Sequence, residues 1–367
     1  MTKVTIYDVA NEAQMSPSTI SRILRGGQGH VYPETTRERV HEIAHRLGYR
    51  ANAAARLLSQ GASTMIGMSI RFTEHPYLNR FLVAIHQELL KHNYDPVFLD
   101  ADHLSNENSA QPFPPPHMLA GLISLGLDLQ HGWPKHYAEL RHHIPIVALQ
   151  PVSATAAKWV DVVQVNYNDA YLQVYKHLTS LGHRHIAYLG PSGHMIPSDR
   201  CKNKGWKAAV RKYGLSENHI PWSVQKSINP IKSNLPEDHD DFLYQSESHQ
   251  SMEEVVRRLN AFPERITALI CASDEVAIGL QSYLQSIGKK LPNELSVVGY
   301  DGISMGGYVY PSLTTIAPDY TCMAEAAVER LIALIESNSQ NIKTGRQQSI
   351  APHLIVRGST APPLSLN

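Results

Sequence analysis

The chain has 367 residues, 43% hydrophobic and 18% charged, with 33 basic against 33 acidic side chains. That length exceeds one ordinary core and predicts two or three domains, while the composition excludes a disordered chain. No apolar run reaches bilayer length, and Cys201, Cys271 and Cys322 form neither a CxxC pair nor a disulfide framework. The start, MTKVTIYDVANEAQ, is polar and unlike a secretory signal, so a cytoplasmic protein with no membrane partner is expected. Charge is uneven: residues 1–61 carry eight Lys/Arg and five Asp/Glu. A basic head on a mildly acidic body points to a polyanion at the head.

Thr5 and Asp8 stand three apart before an apolar pattern, which predicts an N-cap and a first helix over about 6–13. Ser16 caps a second helix, and Pro17 suits its first position, where a missing N–H costs nothing. Ile20, Ile23 and Leu24 turn inward, so Ser18, Thr19, Ser21 and Arg22 point outward. Gly26 and Gly27 stop that helix. A third helix is expected over about 35–47, from Val40, Ile43, Ala44 and Leu47 at helical spacing. Two short helices joined by a tight turn and braced by a third make a helix-turn-helix, whose second helix enters the major groove. Short hydroxyl side chains allow close approach to phosphates and bases, and Arg22 can fork onto guanine. Asn52 can cap a short helix over 53–59, in which Leu57 and Leu58 have little to pack on. A segment that folds only on duplex, wedging a leucine between minor-groove base steps, accounts for them; a linker helix docked on the next domain is the plain alternative.

VTIYDVANEAQMSPSTISRIL followed by TRERVHEIAHRLGYRANAAARLL resembles the head and hinge of the LacI/GalR transcription regulators. The resemblance implies base-reading positions at Pro17, Ser18 and Arg22, and a minor-groove wedge at Leu58 with Ala55 beside it. The full set of expected DNA contacts is Thr5, Ser16, Pro17, Ser18, Thr19, Ser21, Arg22, Asn52, Ala55 and Leu58. Three features depart from the family pattern. Ala51 replaces the proline of YxPN, the turn RGGQGHVYPE is long, and Pro33 stands where a capping serine is common.

From Thr64 the pattern changes to short apolar runs alternating with amphipathic helices. Strands are expected at 65–70, 96–100, 120–125, 144–149, 162–166, 185–190, 268–272 and 295–300, with helices at 79–92, 168–182, 203–213, 252–260, 274–287 and 321–337. Continuous apolar strands between helices mean parallel sheets covered on both faces. So many strands predict two doubly wound, mostly parallel lobes, with ligand bound between them at the strand carboxyl ends. FPPP at 113–116 and the polar stretch from about 217 to 250 fit poorly and are expected to be loop. The expected division is a helix-turn-helix domain over 1–50, a hinge over 51–61, and a sensor over 62–367. Lobe one takes about 62–164 and 319–344; lobe two takes about 165–318 and 345–357.

The resemblance continues through this body, which looks like the family's sugar-binding-protein fold. CASDEVAIG and VVGYDGISMGGYVYPSLTTI carry over Ser273, Asp274, Asp301 and Tyr320 as cleft candidates. HPYL places His75 and Tyr77 in the first lobe's ligand loop, and Gln150 ends the strand IPIVAL. Where the family has an arginine three residues before a glycine, this chain has Lys202, with Arg200 nearby; lysine is a point charge and not a fork. Capping remains the plain reading for Asp274 and Asp301.

No GxGxxG, GxxxxGK[ST], GxSxG or HExxH occurs, and the pairs His142/His143 and His183/His185 are poor metal sets. No catalytic residue, cofactor or metal is therefore expected. The expectation is a DNA-binding regulator, a repressor by resemblance. Its homodimer meets a pseudo-palindromic operator, and its effector is a small molecule of carbohydrate type. The rivals are a solute-binding protein or a carbohydrate-modifying enzyme without DNA activity.

Overall fold

The computed structural model describes residues 4–24, 32–49, 63–70, 76–100, 118–125, 140, 142–191, 196–222, 249–337 and 345–364. The chain divides into two compact units, Met1–Ser63 and Thr64–Asn367. The hinge reading over 51–61, the long turn at 25–31 and FPPP lie outside the described residues.

The head holds α1 (Ile6–Ala13), α2 (Pro17–Leu24) and α3 (Glu34–Leu47). Val9, Ala10, Ala13, Ile20, Ile23, Val40, Ile43 and Ala44 close one small core. The Asp8 carboxylate accepts both the N–H and the hydroxyl of Thr5, which fixes the first turn of α1. Ser16 Oγ accepts the Thr19 N–H at 3.1 Å and so caps α2. From α3, Arg39 donates to the Ala13 carbonyl at 3.2 Å, satisfying an orphan acceptor at the end of α1, and Arg46 pairs with Glu12. Pro33 precedes α3 with no side-chain cap; its carbonyl accepts from Thr36 and Arg37 instead.

The body builds two sheets. In chain order it has β1 (Met65–Ile70), α4 (Pro76–Lys91), β2 (Asp95–Asp100), β3 (Gly121–Ser124), β4 (Ile146–Leu149), β5 (Asp161–Val165) and α5 (Tyr167–Ser180). Next come β6 (Ile186–Pro191), α6 (Pro197–Tyr213), β7 (Asn218–Trp222), α7 (His249–Asn260), β8 (Ala268–Cys271) and α8 (Asp274–Ser286). The rest is β9 (Ser296–Tyr300), β10 (Thr314–Ala317), α9 (Tyr320–Glu336), β11 (Gln347–Ile350) and β12 (His353–Ile355). The first sheet runs β11-β5-β4-β3-β1-β2, all parallel. The second runs β12-β10-β9-β8-β6-β7, parallel except for β12. Strands β3, β4, β8, β9 and β10 are buried along their whole length, as helices on both faces require.

Two expectations are corrected. The stretch 218–222, read as loop, is an edge strand, β7, beside β6. Residues 345–357 do not all join the second lobe: β11 pairs with β5 in the first sheet, and only β12 enters the second. The chain therefore crosses between sheets after β5, after β10 and after β11. Asn166 N–H donates to the Ile350 carbonyl at 2.8 Å, tying two crossings together. Gln173 of α5 bonds the third on both sides, donating to the Pro352 carbonyl and accepting from the Leu354 N–H.

Helices α5 and α6 pack so closely at Gly205 that a Cβ there would lie 2.5 Å from the Tyr167 carbonyl oxygen. Backbone cannot yield as a flexible side chain does. Gly205→Ala is expected to destabilise the body by about 1–3 kcal/mol, read as a lower urea midpoint with unchanged slope.

Candidate functional site

On the head, Ser16 just before α2 and Ser18 and Arg22 on it are exposed to solvent, with Pro17, Thr19 and Ser21 half-exposed. Ser18 and Arg22 are four apart on one helical face, and Arg22 Nε donates to the Ser18 carbonyl at 3.3 Å. The Ser16 hydroxyl lies 2.9 Å from that of Ser18 and 2.8 Å from that of Thr19. The result is a row of hydroxyls ending in a guanidinium, on the N-terminal end of the helix that a helix-turn-helix offers to base edges. Thr5 is exposed but committed to Asp8, whose carboxyl those bonds hold below its ordinary range. Tyr7 was not singled out in the sequence, yet it is 66% exposed on the first turn of α1. Its position outside the inward apolar stripe was the available signal. Asn52, Ala55 and Leu58 lie outside the described residues.

In the body, the carboxyl ends of β4 and β9 face the junction of the two sheets. Gln150 follows β4 with φ 102°, and Asp301 follows β9 with φ 112°. Both are non-glycine residues in the left-handed region, held there by strand bonds: Gln150 N–H to Val163 O at 2.9 Å and Asp301 N–H to Ile316 O at 2.8 Å. Such strain costs about 1–3 kcal/mol and persists where a side chain must be aimed.

Tyr320, opening α9, donates its hydroxyl to the Asp301 carbonyl at 2.7 Å. Its ring meets Phe81 edge-on at 4.6 Å, and the Arg80 guanidinium lies 4.9 Å over it. Arg80 also donates to the Gly302 carbonyl, joining α4 of the first lobe to the turn after β9 of the second. Arg80 went unread in the sequence, although it stands three residues beyond Tyr77, on the same helical face. Tyr77 bonds Gln150, and desolvation together with the Asp301 carboxylate raises its hydroxyl above the ordinary range. His75 lies outside the described residues.

Four expected ligand contacts are placed as follows. Asp274 is fully buried; one carboxylate oxygen accepts the Ile303 N–H at 2.8 Å and the other accepts the Thr315 hydroxyl at 2.5 Å. It is the post that shapes the turn after β9, not a group facing the cleft. Lys202 donates to the Ala272 carbonyl at 2.7 Å and sits 4.3 Å over the Tyr300 ring, so its charge is taken up within the lobe. Arg200 is exposed on α6. Ser273 caps α8, its hydroxyl accepting the Val276 N–H at 3.3 Å. Asp199, unread in the sequence, is buried in the first turn of α6, where burial raises its carboxyl. Among the described residues no group of His, Cys, Asp and Glu could hold a metal ion, and no helix is long and apolar enough to cross a membrane.

Comparison with known proteins agrees with both halves of this geometry. Residues 5–52 match the bacterial regulatory proteins of the lacI family, and residues 175–360 match the periplasmic binding protein-like domain. Catabolite control protein A of Priestia megaterium is 26% identical over 85% of this chain and 87% of its own length. The ribose operon repressor of Haemophilus influenzae is 27% identical over 93% of this chain and 94% of its own. Among solved structures, the lac repressor dimer bound to operator and the anti-inducer ONPF superposes with TM-score 0.68. That likeness has 23% identity and covers 98% of this chain and 100% of the other. A CelR–cellobiose complex superposes with TM-score 0.61 at 17% identity, over 98% and 100% of the two chains. The chain belongs to the lacI family of regulators, in which a helix-turn-helix head precedes a periplasmic-binding-protein-like sensor.

Removing the Asp274 carboxylate leaves the buried Ile303 N–H unpaired and turns the Thr315 hydroxyl to its longer contact with the Ile316 carbonyl. Asp274→Ala is expected to cost about 2–4 kcal/mol, measured by chemical denaturation. Burial outweighs its hydrogen bonds and pushes its carboxyl up to about 7. A raised carboxyl gives stability that is complete below its unfolded pKa, about 4, and lost as pH rises through 7. Stability should therefore fall between pH 4 and 7, and Asp274→Asn should lack that part of the slope.

Proposed function

We propose that this protein is a transcription regulator, a repressor by its relatives, that works on DNA in the cytoplasm. It binds a pseudo-palindromic operator as a homodimer, and its operator affinity is set by a small carbohydrate-type effector held between the two lobes. The observation that carries this reading is the solvent-facing row Ser16, Ser18 and Arg22 on a rigidly capped α2. Nothing in a solute-binding protein or an enzyme needs such a face.

Self-association finds support in Tyr308 and Tyr310, 84% and 85% exposed, with Met305 beside them in sequence and also exposed. Exposed aromatic side chains grouped along a short stretch are compatible with a surface that receives a second copy. A two-fold dimer presents two recognition helices to two half-sites. Effector control requires only that the ligand prefer one lobe arrangement over the other. Arg80 on Gly302, and Tyr320 on Asp301, are contacts that such a preference would make or break. The carbohydrate class rests on the relatives and neighbours: a ribose operon repressor, and family structures holding cellobiose or ribose.

Fluorescence anisotropy on operator-bearing genomic fragments tests the DNA reading. Wild type should bind with an affinity that falls steeply as salt rises. Arg22→Ala should lose about 10–100-fold of its preference for operator over unrelated duplex, with the melting of the body unchanged. Salt-insensitive binding, or a variant that still discriminates, contradicts it. Asp301→Asn should keep operator binding and lose the response to effector; a fully responsive variant removes Asp301 from the site.

A further inference from the structure

The cleft's polar groups are unequally committed. Its cations are spent on protein carbonyls and rings: Lys202 on Ala272 O and the Tyr300 face, Arg80 on Gly302 O and the Tyr320 face. Arg200, next along α6, is exposed to solvent. The carboxylate of Asp199 is in the opposite state. It is only 4% exposed, it accepts the Ile196 N–H, and its Oδ2 has no hydrogen-bond partner among the described residues. The Tyr300 hydroxyl is likewise buried and without a partner there. Asp199 lies within electrostatic reach of Tyr77 from the first lobe and of Tyr167 and Tyr188 in the second, and Asp301 acts on the same Tyr77 and Tyr167. Asp199 thus stands at the start of α6, within electrostatic reach of the first lobe, with one buried carboxylate oxygen unpartnered.

A buried carboxylate oxygen with no donor is costly to a folded protein and is kept where a ligand supplies the donor. We infer that Asp199 reads the effector directly, through a hydroxyl or ammonium donor, and that the cleft admits uncharged or amine-bearing carbohydrates and rejects phosphorylated or acidic ones. The inference rests on the proposed sensor function and narrows it. An anionic ligand would bring charge against Asp199 and Asp301, while Lys202 and Arg80 would have to abandon their present partners to meet it. A donor-bearing ligand satisfies Asp199 Oδ2 with no such exchange.

The test uses the full chain in thermal-shift and calorimetric titrations. The probes are D-ribose, D-glucose, cellobiose and D-glucosamine, set against ribose 5-phosphate, glucose 6-phosphate and D-glucuronate. Wild type should bind at least one uncharged or amine-bearing member about tenfold or more tighter than its anionic counterpart. Asp199→Asn should weaken that ligand by about tenfold or more, the worth of one hydrogen bond to a charged group. The free variant should melt higher than wild type, because the amide keeps an acceptor for Ile196 and removes a buried charge. A merely structural Asp199 would move neither ligand selectivity nor melting in that direction. The inference is overturned if an anionic probe binds as tightly as its neutral counterpart, if no uncharged or amine-bearing probe binds, or if Asp199→Asn melts lower than wild type. Operator binding by wild type in the same preparation is the separate test of the parent reading.

Discussion

The turn from Asp301 to Ile303 is the constraint on which the body depends. Asp274, at the start of α8, holds it from below by accepting the Ile303 N–H and the Thr315 hydroxyl. The fit is close enough that a Cβ on Gly299 would lie 2.1 Å from that carboxylate, so β9 must carry a glycine there. Held this way, Asp301 takes a left-handed backbone, and its carboxylate acts electrostatically on Tyr77 of the first lobe. The two carbonyls of the same turn are then taken by Tyr320 and Arg80, residues attached to the first lobe through α9 and α4. One short segment thus positions the Asp301 carboxylate, the proposed ligand contact, and also receives the contacts that join the lobes. A ligand that pulls on Asp301 acts directly on the lobe contacts.

The three crossings between the sheets give that turn its leverage. The first and third are bonded to one another through Asn166 and Ile350 and through Gln173 and Pro352, and Asp319, at the start of the second, lies 3.3 Å from His353 of β12. Each lobe is meanwhile densely packed. The second carries stacked and edge-on aromatic pairs linking Tyr167, Tyr300, Tyr171, Tyr188 and Trp206, with Trp206 Nε1 donating to the Tyr175 hydroxyl at 2.9 Å. Densely packed lobes on tied crossings favour discrete arrangements over continuous deformation, which a ligand-controlled switch requires. The head is a smaller construction, with eight buried apolar residues in its core among those described, an orphan acceptor of α1 closed by Arg39 and an orphan donor of α2 closed by the Ser16 cap. It supplies a firm α2 and little else, which suits a reader whose specificity lies in a few exposed side chains.

Much of this was legible in the sequence because the signals were local. Central strands such as IPIVAL and LSVVGY are continuous apolar runs, and the caps at Thr5 and Ser16 follow short-range spacing rules. The edge strands escaped for the converse reason. NHIPW carries a proline and a histidine, and QQSI alternates in exposure along one margin of its sheet, so neither shows a buried run. The misplaced lobe boundary near 345 follows from the unread β11. The site was legible only in part. That Asp301 and Tyr320 belong together follows from motif resemblance. That Asp274 is a buried post, and that Lys202 is spent on Ala272, depends on partners 29 to 70 residues away in the chain. Asp199 was missed because a carboxylate in a helix's first turn is an ordinary sight; its burial is what sets it apart.

The account stands on a two-fold reader aligned on duplex by a paired sensor. Selection of bound duplexes from a random-sequence pool by the purified full-length protein measures this most directly. The account predicts enrichment of one inverted repeat, with two matching half-sites at fixed spacing. Recovery of unrelated sequences, or of a single unpaired half-site, would contradict it.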